Sequence, residues 1–117
     1  MLFIHYPKCT TCQRAKKYLE QRGESFEERH IITENPTNAE IRVWQNRSGL
    51  PLKKFFNTSG LKYRELNLKD KLPEMSEEEQ LELLVSDGML VKRPLLIGED
   101  YVLVGYNEAK WSAALGK

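Results

Sequence analysis

The 117-residue sequence is poor in cysteine: its two cysteines are Cys9 and Cys12, three positions apart. It also lacks any run of eighteen apolar residues, so we expect no membrane span. The start, MLFIHYPKC, lacks the charged beginning and long apolar centre of a signal peptide, so we expect a cytoplasmic protein. A reducing cytoplasm disfavours structural disulfides. The two cysteines therefore need an explanation other than a structural cross-link.

Excess charge is missing as well. With 18 basic and 17 acidic residues, the formal net charge is +1. A protein that binds nucleic acid by neutralising phosphates is usually more basic, so we expect no direct contact with DNA or RNA. The length predicts a single domain over residues 1–117, large enough to bury a core without disulfide or metal staples.

The N-terminal part predicts a strand, a helix and a second strand. LFIHY (2–6) is an apolar run that ends at a proline, and SFEERHII (25–32) is the next extended segment. Between them the pattern is helical, from Thr10 or Thr11 to Arg22. So short a crossover favours a right-handed βαβ unit with parallel strands.

The middle of the chain lacks a convincing strand. From about 33 to 92 the apolar residues follow helical spacing instead. Thr37 with Glu40, and Ser76 with Glu79, are spaced as capping boxes, which mark helix starts. We therefore predict an all-helical insertion over this region.

Strands return near the C-terminus. PLLI (94–97) and YVLV (101–104) flank a loop that contains a glycine, which predicts a hairpin with a three-residue loop. Asn107 is placed to cap a last helix. The apolar side of that helix is predicted to comprise Trp111, Ala114 and Leu115. The order is β-α-β, a helical insertion, then β-β-α.

The cysteine pair lies where the first strand ends and the first helix begins. There the Cys9 sulfur faces unpaired backbone N–H groups and the positive end of the helix dipole, and both favour the thiolate. Lys8 and Arg14 add positive charge nearby. We predict that Cys9 is the nucleophile. Cys12, one turn further along the same face, can then attack a mixed disulfide or sulfenic acid on Cys9.

Two other interpretations of the pair are open. A CxxC pair supplies two of the four ligands of a structural zinc site, and the chain offers His5 and His30 to complete it. There is no second CxxC, and a CxxC beside a βαβ pattern favours redox chemistry. The cysteines could also be inert, but inert cysteines prefer apolar surroundings and this pair has polar and basic neighbours. We therefore expect no bound metal.

VKRPLLI (91–97) is a second segment of interest. Pro94 opens a strand, where it lacks the N–H for a ladder hydrogen bond and must lie at the strand's start or edge. Its peptide bond with Arg93 can be cis, which would present the Arg93 backbone to a molecule docked at Cys9. The alternative is that Arg93 is an ordinary surface arginine.

Taken together, these segments resemble one known family. The motifs YPKCTTCQRAKKYL and KRPLL with VGYNE, supported by NPT (35–37) and FFNTSG (55–60), are similar to the arsenate reductase-related family. That family includes the Spx/MgsR-type redox regulators. The resemblance covers essentially the whole chain. It implies an α/β thioredoxin-like fold, with a four-stranded mixed sheet and the helical insertion between strands two and three.

The resemblance also implies roles for individual residues. Cys9 is the redox nucleophile, and Cys12 matches the second cysteine of the Spx-type branch, where the pair closes as an intramolecular disulfide. Arg93 matches the arginine that contacts the oxyanion or the reactive sulfur, and Pro94 is the expected cis-proline. His5 lies where the glutaredoxin-linked arsenate reductases carry a histidine, although a packed strand residue is an equal alternative.

Two departures bear on the expected substrate. The arsenate reductases use three arginines around the oxyanion, and the first and third fall near Asn57 and Gly105 here. Each charge-assisted hydrogen bond is worth roughly 1.5–3 kcal/mol, so efficient arsenate reduction is not expected.

We expect a thiol–disulfide redox protein that reduces a small oxidised substrate. It would need no bound cofactor and would be regenerated by an external thiol system, glutathione–glutaredoxin or thioredoxin. The alternative from the same resemblance is a redox-sensing transcription regulator that binds RNA polymerase.

Overall fold

The computed structural model describes residues 1–116 and contains one sheet surrounded by helices. The strands are β1 (Leu2–His5), β2 (Glu27–His30), β3 (Leu95–Ile97) and β4 (Val102–Val104). The α-helices are α1 (Thr10–Gln21), α2 (Asn38–Ser48), α3 (Leu61–Glu65), α4 (Leu68–Lys71), α5 (Glu77–Ser86) and α6 (Glu108–Leu115). Short 3-10 turns occupy Leu52–Phe55, Leu72–Glu74 and Gly88–Leu90.

The sheet has the strand order β2-β1-β3-β4. β1 pairs in parallel with β2, whereas β3 runs antiparallel to both β1 and β4. This is the expected mixed sheet, formed by a βαβ unit and a ββα unit with helices between them. Because β1 and β3 are adjacent and antiparallel, the segment that leaves β1, with Cys9, lies beside the segment that enters β3, with Arg93.

The two faces of the sheet bury different sets of side chains. Successive residues of a strand point to opposite faces, and β1 and β3 follow this rule. Ile4, Leu95 and Ile97 pack against the insertion. On the other face, Phe3 and Leu96 pack against α1 and α6, whose contributions are Ala15, Leu19 and Trp111. The sheet is therefore the middle of three layers.

Several details of the predicted elements differ in the structure. β2 has four residues rather than eight, because the Nδ1 atom of His30 accepts hydrogen bonds from the N–H groups of Ile32 (3.1 Å) and Thr33 (3.3 Å) and turns the chain. The β3–β4 loop has four residues rather than three, closed by the Gly98 N–H, which donates to the Tyr101 carbonyl at 2.9 Å. Ala114 is exposed rather than on the apolar side of α6.

The insertion is helical, as predicted, and both capping boxes are present. The side chains of Thr37 and Ser76 accept hydrogen bonds from the backbones of Glu40 and Glu79, which bond back to them. One feature was not predicted: an isolated antiparallel bridge joins Phe56 to Val91.

Hydrogen bonds flank this bridge on both sides. The Asn57 N–H donates to the Leu90 carbonyl at 2.8 Å, and the Lys92 N–H donates to the Phe55 carbonyl at 2.7 Å. The bridge fixes part of the insertion beside the segment that leads into β3. Over residues 1–116, no helix is both long and apolar enough to cross a membrane.

Candidate active site

Cys9 lies at the N-cap of α1, in extended backbone conformation. Its N–H donates to the Tyr6 carbonyl at 2.9 Å, and its carbonyl accepts the first helical hydrogen bond from the Gln13 N–H at 3.0 Å. The Gln13 side chain reaches back and donates to the Pro7 carbonyl at 2.8 Å. These bonds fix the turn between β1 and α1. The partly exposed sulfur of Cys9 is thereby held at the start of the helix.

The surroundings of Cys9 favour its thiolate. Burial acts to raise its pKa, but hydrogen bonds from the Cys12 backbone and thiol, and then the hydrogen bond and positive charge of Arg93, outweigh burial. The net result is a Cys9 pKa below the ordinary thiol value. Since a thiolate is the reactive form of cysteine, Cys9 is the better nucleophile of the pair.

Cys12 has the opposite environment. Its side chain is fully buried, and burial raises its pKa to about 12, with the neighbouring Cys9 adding to the rise. A hydrogen bond from the Tyr6 backbone and the charge of Arg93 oppose the increase without cancelling it. Both cysteines are free thiols in this structure. The pair therefore consists of a low-pKa sulfur at the surface and a protonated one beneath it.

Arg93 is positioned by the strand that follows it. The Arg93–Pro94 peptide bond is cis, as predicted, and the Pro94 carbonyl accepts a 2.8 Å hydrogen bond from the Gly105 N–H. The guanidinium carbon lies 5.1 Å from the centroid of the Tyr6 ring, and Nη1 lies 3.8 Å from the Met89 sulfur. Arg93 is therefore a packed residue directed toward Cys9, not an ordinary surface arginine.

A cleft of about 600 Å³ opens at Cys9. Polar and basic residues form most of its lining, together with one exposed apolar side chain, Leu61. The remaining lining residues are Thr11, Arg14, Asn57, Ser59, Gly60, Lys92, Arg93, Val104, Gly105, Tyr106, Asn107 and Lys110. The cleft can therefore accept a molecule larger than a simple oxyanion and bring it to the Cys9 sulfur.

Both positions at which an arginine was expected line this cleft, and neither carries a charged side chain. Asn57 is only 7% exposed, and its amide nitrogen would lie 2.7 Å from a Cβ atom at Gly60. Gly105 has a φ of +76°, which disfavours any side chain, and a Cβ atom there would lie 3.0 Å from the Lys92 Cε atom. The cleft holds a buried amide and open space in place of two guanidinium groups.

The supporting residues expected from the sequence fall into two groups. Arg14 lines the cleft, whereas Lys8 is exposed and lies outside its lining. His5 is directed elsewhere: its Nε2 atom lies 3.0 Å from the Glu28 carboxylate, and its ring stacks on Phe3 with centroids 4.6 Å apart.

The pKa of His5 is set mainly by burial and by Glu28. Burial lowers the pKa of His5, and Glu28 opposes that change. Neither cysteine is among the main causes of this shift in pKa. His5 therefore packs beside Phe3 on the face of the sheet that α1 covers. Its relation to Cys9 is its place four residues earlier in the sequence.

Sequence analysis did not identify Lys92 and Lys110 as cleft residues. Lys92 directly precedes Arg93, so its place could have been suspected from the VKRPLL segment. Lys110 lies on α6 and reaches the cleft only because that helix packs beside β4, for which no local sequence signal exists. Among residues 1–116, no group of three or more His, Cys, Asp or Glu side chains could hold a metal ion.

Comparison with known proteins places the chain in a family. The model of the ArsC family matches residues 4–114. The chain belongs to the ArsC family. YusI of Bacillus subtilis is 57% identical over 108 residues, which are 92% of this chain and 92% of that protein. The regulatory protein MgsR of Bacillus subtilis is 32% identical over 107 residues, covering 92% of this chain and 83% of MgsR.

Solved structures agree with the family assignment. The crystal structure of an ArsC family related protein from Bacteroides fragilis has a TM-score of 0.93 to this chain, with 52% sequence identity. The match covers 96% of this chain and 94% of that one. The mixed four-stranded sheet with flanking helices is thus the thioredoxin-like fold that the resemblance implied.

Proposed function

We propose that this ArsC-family protein is a thiol–disulfide oxidoreductase, with Cys9 as the attacking thiolate and Cys12 as the resolving thiol. The observation that carries the proposal is the contrast between the two sulfurs. The pKa of Cys9 is lowered at the mouth of a cleft, whereas burial raises that of Cys12 to about 12 directly beneath it. Two inert cysteines would need neither the cleft nor the guanidinium beside Cys9.

The proposed reaction has two exchange steps. The Cys9 thiolate attacks one sulfur of an oxidised substrate RSSR′, forming the Cys9–SR mixed disulfide and releasing R′S⁻. The Cys12 sulfur, on losing its proton, attacks the Cys9 sulfur and releases RS⁻, leaving a Cys9–Cys12 disulfide. The substrate gains two electrons and the protein loses two. An external thiol system, glutathione–glutaredoxin or thioredoxin, would restore the dithiol, and no bound cofactor is needed.

The order of these steps follows from the electrostatics of the pair. The charge of Cys9 is one of the causes that raise the pKa of Cys12. When Cys9 enters a mixed disulfide it loses that charge, whereas Arg93 stays in place and favours a Cys12 thiolate. Cys12 would therefore ionise more readily once substrate is attached to Cys9, although its burial, the largest cause of its raised pKa, remains.

Arsenate is a poor fit to this site. A tetrahedral oxyanion gains most from several fixed cationic donors, and Asn57 and Gly105 stand where two of them were expected. A disulfide substrate needs no such cage, because its leaving group is stabilised as a thiolate by one nearby cation. The proposal therefore favours small disulfides over arsenate.

The test is to oxidise the reduced protein with one equivalent of a mild oxidant and measure its intact mass and free thiols. We expect the loss of two hydrogen atoms and of both thiols, with peptide mapping that joins Cys9 to Cys12. Oxidation to sulfinic acid or to intermolecular dimers, without that internal disulfide, would refute the proposal.

A parallel assay separates the disulfide from arsenate as substrate. Arsenate turnover is measured with the glutathione–glutaredoxin and thioredoxin systems in separate reactions, and Cys9→Ser is the control. We expect no turnover above that control. Robust turnover that depends on Cys9 would make the protein an arsenate reductase and would show that Arg93 suffices without two further arginines.

A second candidate function is redox-sensing regulation of transcription through RNA polymerase. The observation in its favour is the 32% identity to the regulatory protein MgsR over 92% of this chain. Under this hypothesis the same internal disulfide would change the protein's affinity for polymerase instead of transferring electrons to a metabolite. Copurification of purified polymerase with the oxidised protein, but not the reduced one, would support it.

A further inference from the structure

The positive charges around Cys9 are concentrated on one side of the molecule. Arg14, Lys92, Arg93 and Lys110 line the cleft, and its lining contains no aspartate or glutamate. A second groove of about 340 Å³ adjoins the cleft and shares Lys92, Val104 and Lys110 with it. This groove adds two more cations, Lys53 and Lys54, again with no carboxylate in its lining. The two spaces adjoin at these three shared residues, and together they are called the basic channel, with Cys9 at one end.

These cations have no acidic partners in the part of the chain that the structure describes. The ion pairs of residues 1–116 use other basic residues: His5, Lys16, Arg22, Arg29, Arg42 and Lys62. For a chain with 17 acidic residues and a net charge of +1, this is a marked separation of charge. Six unpaired cations along one channel repel one another and produce a local positive potential that favours a bound anion.

The backbone holds one of these lysines over the cleft. Gly105 has no side chain, so the aliphatic part of Lys92 can lie against its backbone, with Cε 3.0 Å from the position of a Cβ atom. The Lys92 N–H is fixed by the Phe55 carbonyl at 2.7 Å. Because Lys92 lines both spaces, it joins the cleft at Cys9 to the groove at Lys53 and Lys54.

The size of the channel argues for an extended ligand. A tetrahedral oxyanion fills only a small part of the cleft's 600 Å³ and leaves the groove empty. An acidic protein segment would need apolar anchors, since interfaces gain most of their energy from buried apolar or aromatic side chains. The channel offers two exposed aliphatic side chains, Leu61 at 65% in the cleft and Leu50 at 37% in the groove, and neither is aromatic. A long, flexible and multiply charged small molecule fits better than either.

We propose that the channel binds low-molecular-weight disulfides whose tail carries several phosphates, of the coenzyme A kind. The disulfide would lie at Cys9 and Arg93, the polar linker would follow the cleft past Asn57 and Lys110, and the phosphates would lie near Lys53 and Lys54. This rests on the proposed thiol–disulfide function and specifies its substrate class.

The exchange is the one written above, with coenzyme A as the departing thiolate. Cys9 forms a mixed disulfide with one half of the substrate and releases the other half. Cys12 then closes the internal disulfide and releases the second half. An external dithiol supplies the two electrons that restore the protein.

The experiment compares three disulfides with the reduced protein: coenzyme A disulfide, glutathione disulfide and neutral bis(2-hydroxyethyl) disulfide. The second-order rate constant for loss of reduced protein is measured by acid quenching and intact mass. Lys53→Gln/Lys54→Gln removes two charges from the groove. Arg64→Gln/Lys71→Gln is the matched control, because both residues are exposed and lie outside the channel.

We expect the groove variant to lose about tenfold in rate with coenzyme A disulfide, measured relative to the neutral disulfide. The loss with glutathione disulfide should be less than about twofold, since that molecule has no phosphates to reach the groove. The control variant should behave as wild type with all three. In wild type, added salt should slow the coenzyme A reaction far more than the neutral one, which tests the inference even if the variant folds poorly.

Two results would overturn the inference while leaving the proposed function intact. One is an equal loss with coenzyme A disulfide and glutathione disulfide in the groove variant. The other is a coenzyme A rate that is insensitive to both the substitutions and salt while Cys9 still reacts. Failure of Cys9 to react with any of the three disulfides would instead refute the proposed function itself.

Discussion

The start of α1 differs from the starts of α2 and α5. Thr37 and Ser76 close complete capping boxes, each with a glutamate in the first turn, Glu40 and Glu79. α1 begins at Cys9, which offers a sulfur instead of a capping oxygen, and it has no acidic residue in its first turn. The two insertion helices thus neutralise their exposed N–H groups and dipoles internally. In α1 the first N–H groups and the positive end of the dipole remain available to stabilise the Cys9 sulfur.

This contrast connects stability with reactivity. An N-cap side chain stabilises a helix by about 1 kcal/mol, and a first-turn acid adds a few tenths. At α1 the same backbone groups lower the pKa of Cys9, together with Arg93 from the neighbouring central strand. An acidic side chain in the first turn of α1 would compete with the thiolate for the same N–H groups and for the dipole. We infer that the weak cap at α1 is part of the chemistry of the site.

The largest expected effect comes from removing either sulfur. Cys9→Ser should abolish thiol–disulfide exchange, because a serine hydroxyl stays protonated at neutral pH and cannot attack a disulfide. Cys12→Ser should still react but stop at the mixed disulfide, which has no resolving thiol. Intact mass after incubation with a small disulfide distinguishes the two variants. A stable mixed disulfide on Cys9→Ser, and none on Cys12→Ser, would mean that the roles are reversed.

The next largest effect is expected from removing the charge of Arg93, which contributes to the lowered pKa of Cys9. Arg93→Met keeps an unbranched side chain that can pack on Met89 and Tyr6 but removes the charge. We expect the pKa of Cys9 to rise by about one unit, so that alkylation by iodoacetamide near neutral pH slows by roughly tenfold. The alkylation rate increases with pH as the thiolate forms and then reaches a plateau. The variant's curve should therefore shift to higher pH with an unchanged plateau.

Arg14→Met is the matched control for that measurement. Arg14 also lines the cleft but is not among the main causes of the lowered Cys9 pKa. Its curve should lie close to that of wild type. Equal shifts in the two variants would show that the general positive potential of the cleft, not the contact with Arg93, lowers the pKa of Cys9.

A smaller effect is expected on the free energy of unfolding when the N-cap residues of α2 and α1 are each replaced by alanine. Thr37→Ala removes a cap hydrogen bond and should reduce the free energy of unfolding by about 1 kcal/mol. Cys9→Ala removes only the weak hydrogen bond that the Cys9 sulfur accepts from the Cys12 backbone, so the loss should be less than about 0.5 kcal/mol. Urea unfolding of the reduced proteins measures both. If Cys9→Ala were as destabilising as Thr37→Ala, then Cys9 would act as a structural cap, and the contrast between the helices would fail.

The parts of this molecule that follow from the sequence are the local ones. Capping boxes such as Thr37 with Glu40, and the turn at Cys9, depend on residues a few positions apart, and both are where the sequence predicts them. The order of strands and helices and the cis bond before Pro94 were also foreseen. β2 was overestimated because apolar residues such as Ile31 continue the pattern after the backbone has turned.

The parts that could not be predicted depend on contacts between distant residues. The bridge from Phe56 to Val91 joins segments 35 positions apart, and no alternation marks either as a strand. That bridge brings Asn57 and Lys92 to the cleft beside Arg93. The basic channel also depends on packing, because its cations come from four separate segments and the overall charge of the chain is close to neutral.

The smallest expected effect is the difference in stability cost between replacing Glu40 of α2 and replacing Glu79 of α5. Glu40 accepts hydrogen bonds from the Nη1 and Nη2 atoms of Arg29, at 2.6 and 2.8 Å, and this pairing is the main cause that lowers its pKa to about 2. The pKa of Glu79 is lowered only by hydrogen bonds with Ser76. Glutamine can keep a capping box but cannot form an ion pair. Glu40→Gln should therefore cost about 0.5 kcal/mol at neutral pH, and Glu79→Gln less.

The pH dependence of the stability lost in Glu40→Gln shows whether that loss comes from the charge of Glu40. A carboxyl whose folded pKa lies below its unfolded value stabilises the protein above the unfolded pKa and loses that contribution as pH falls through the folded one. For Glu40 this window runs from 4.5 down to about 2. Urea unfolding of wild type and Glu40→Gln should therefore converge as pH falls through this range. A gap that was undiminished at pH 2 would mean that the glutamine disturbs the start of α2 sterically, and that the charge of Glu40 contributes nothing to its stability.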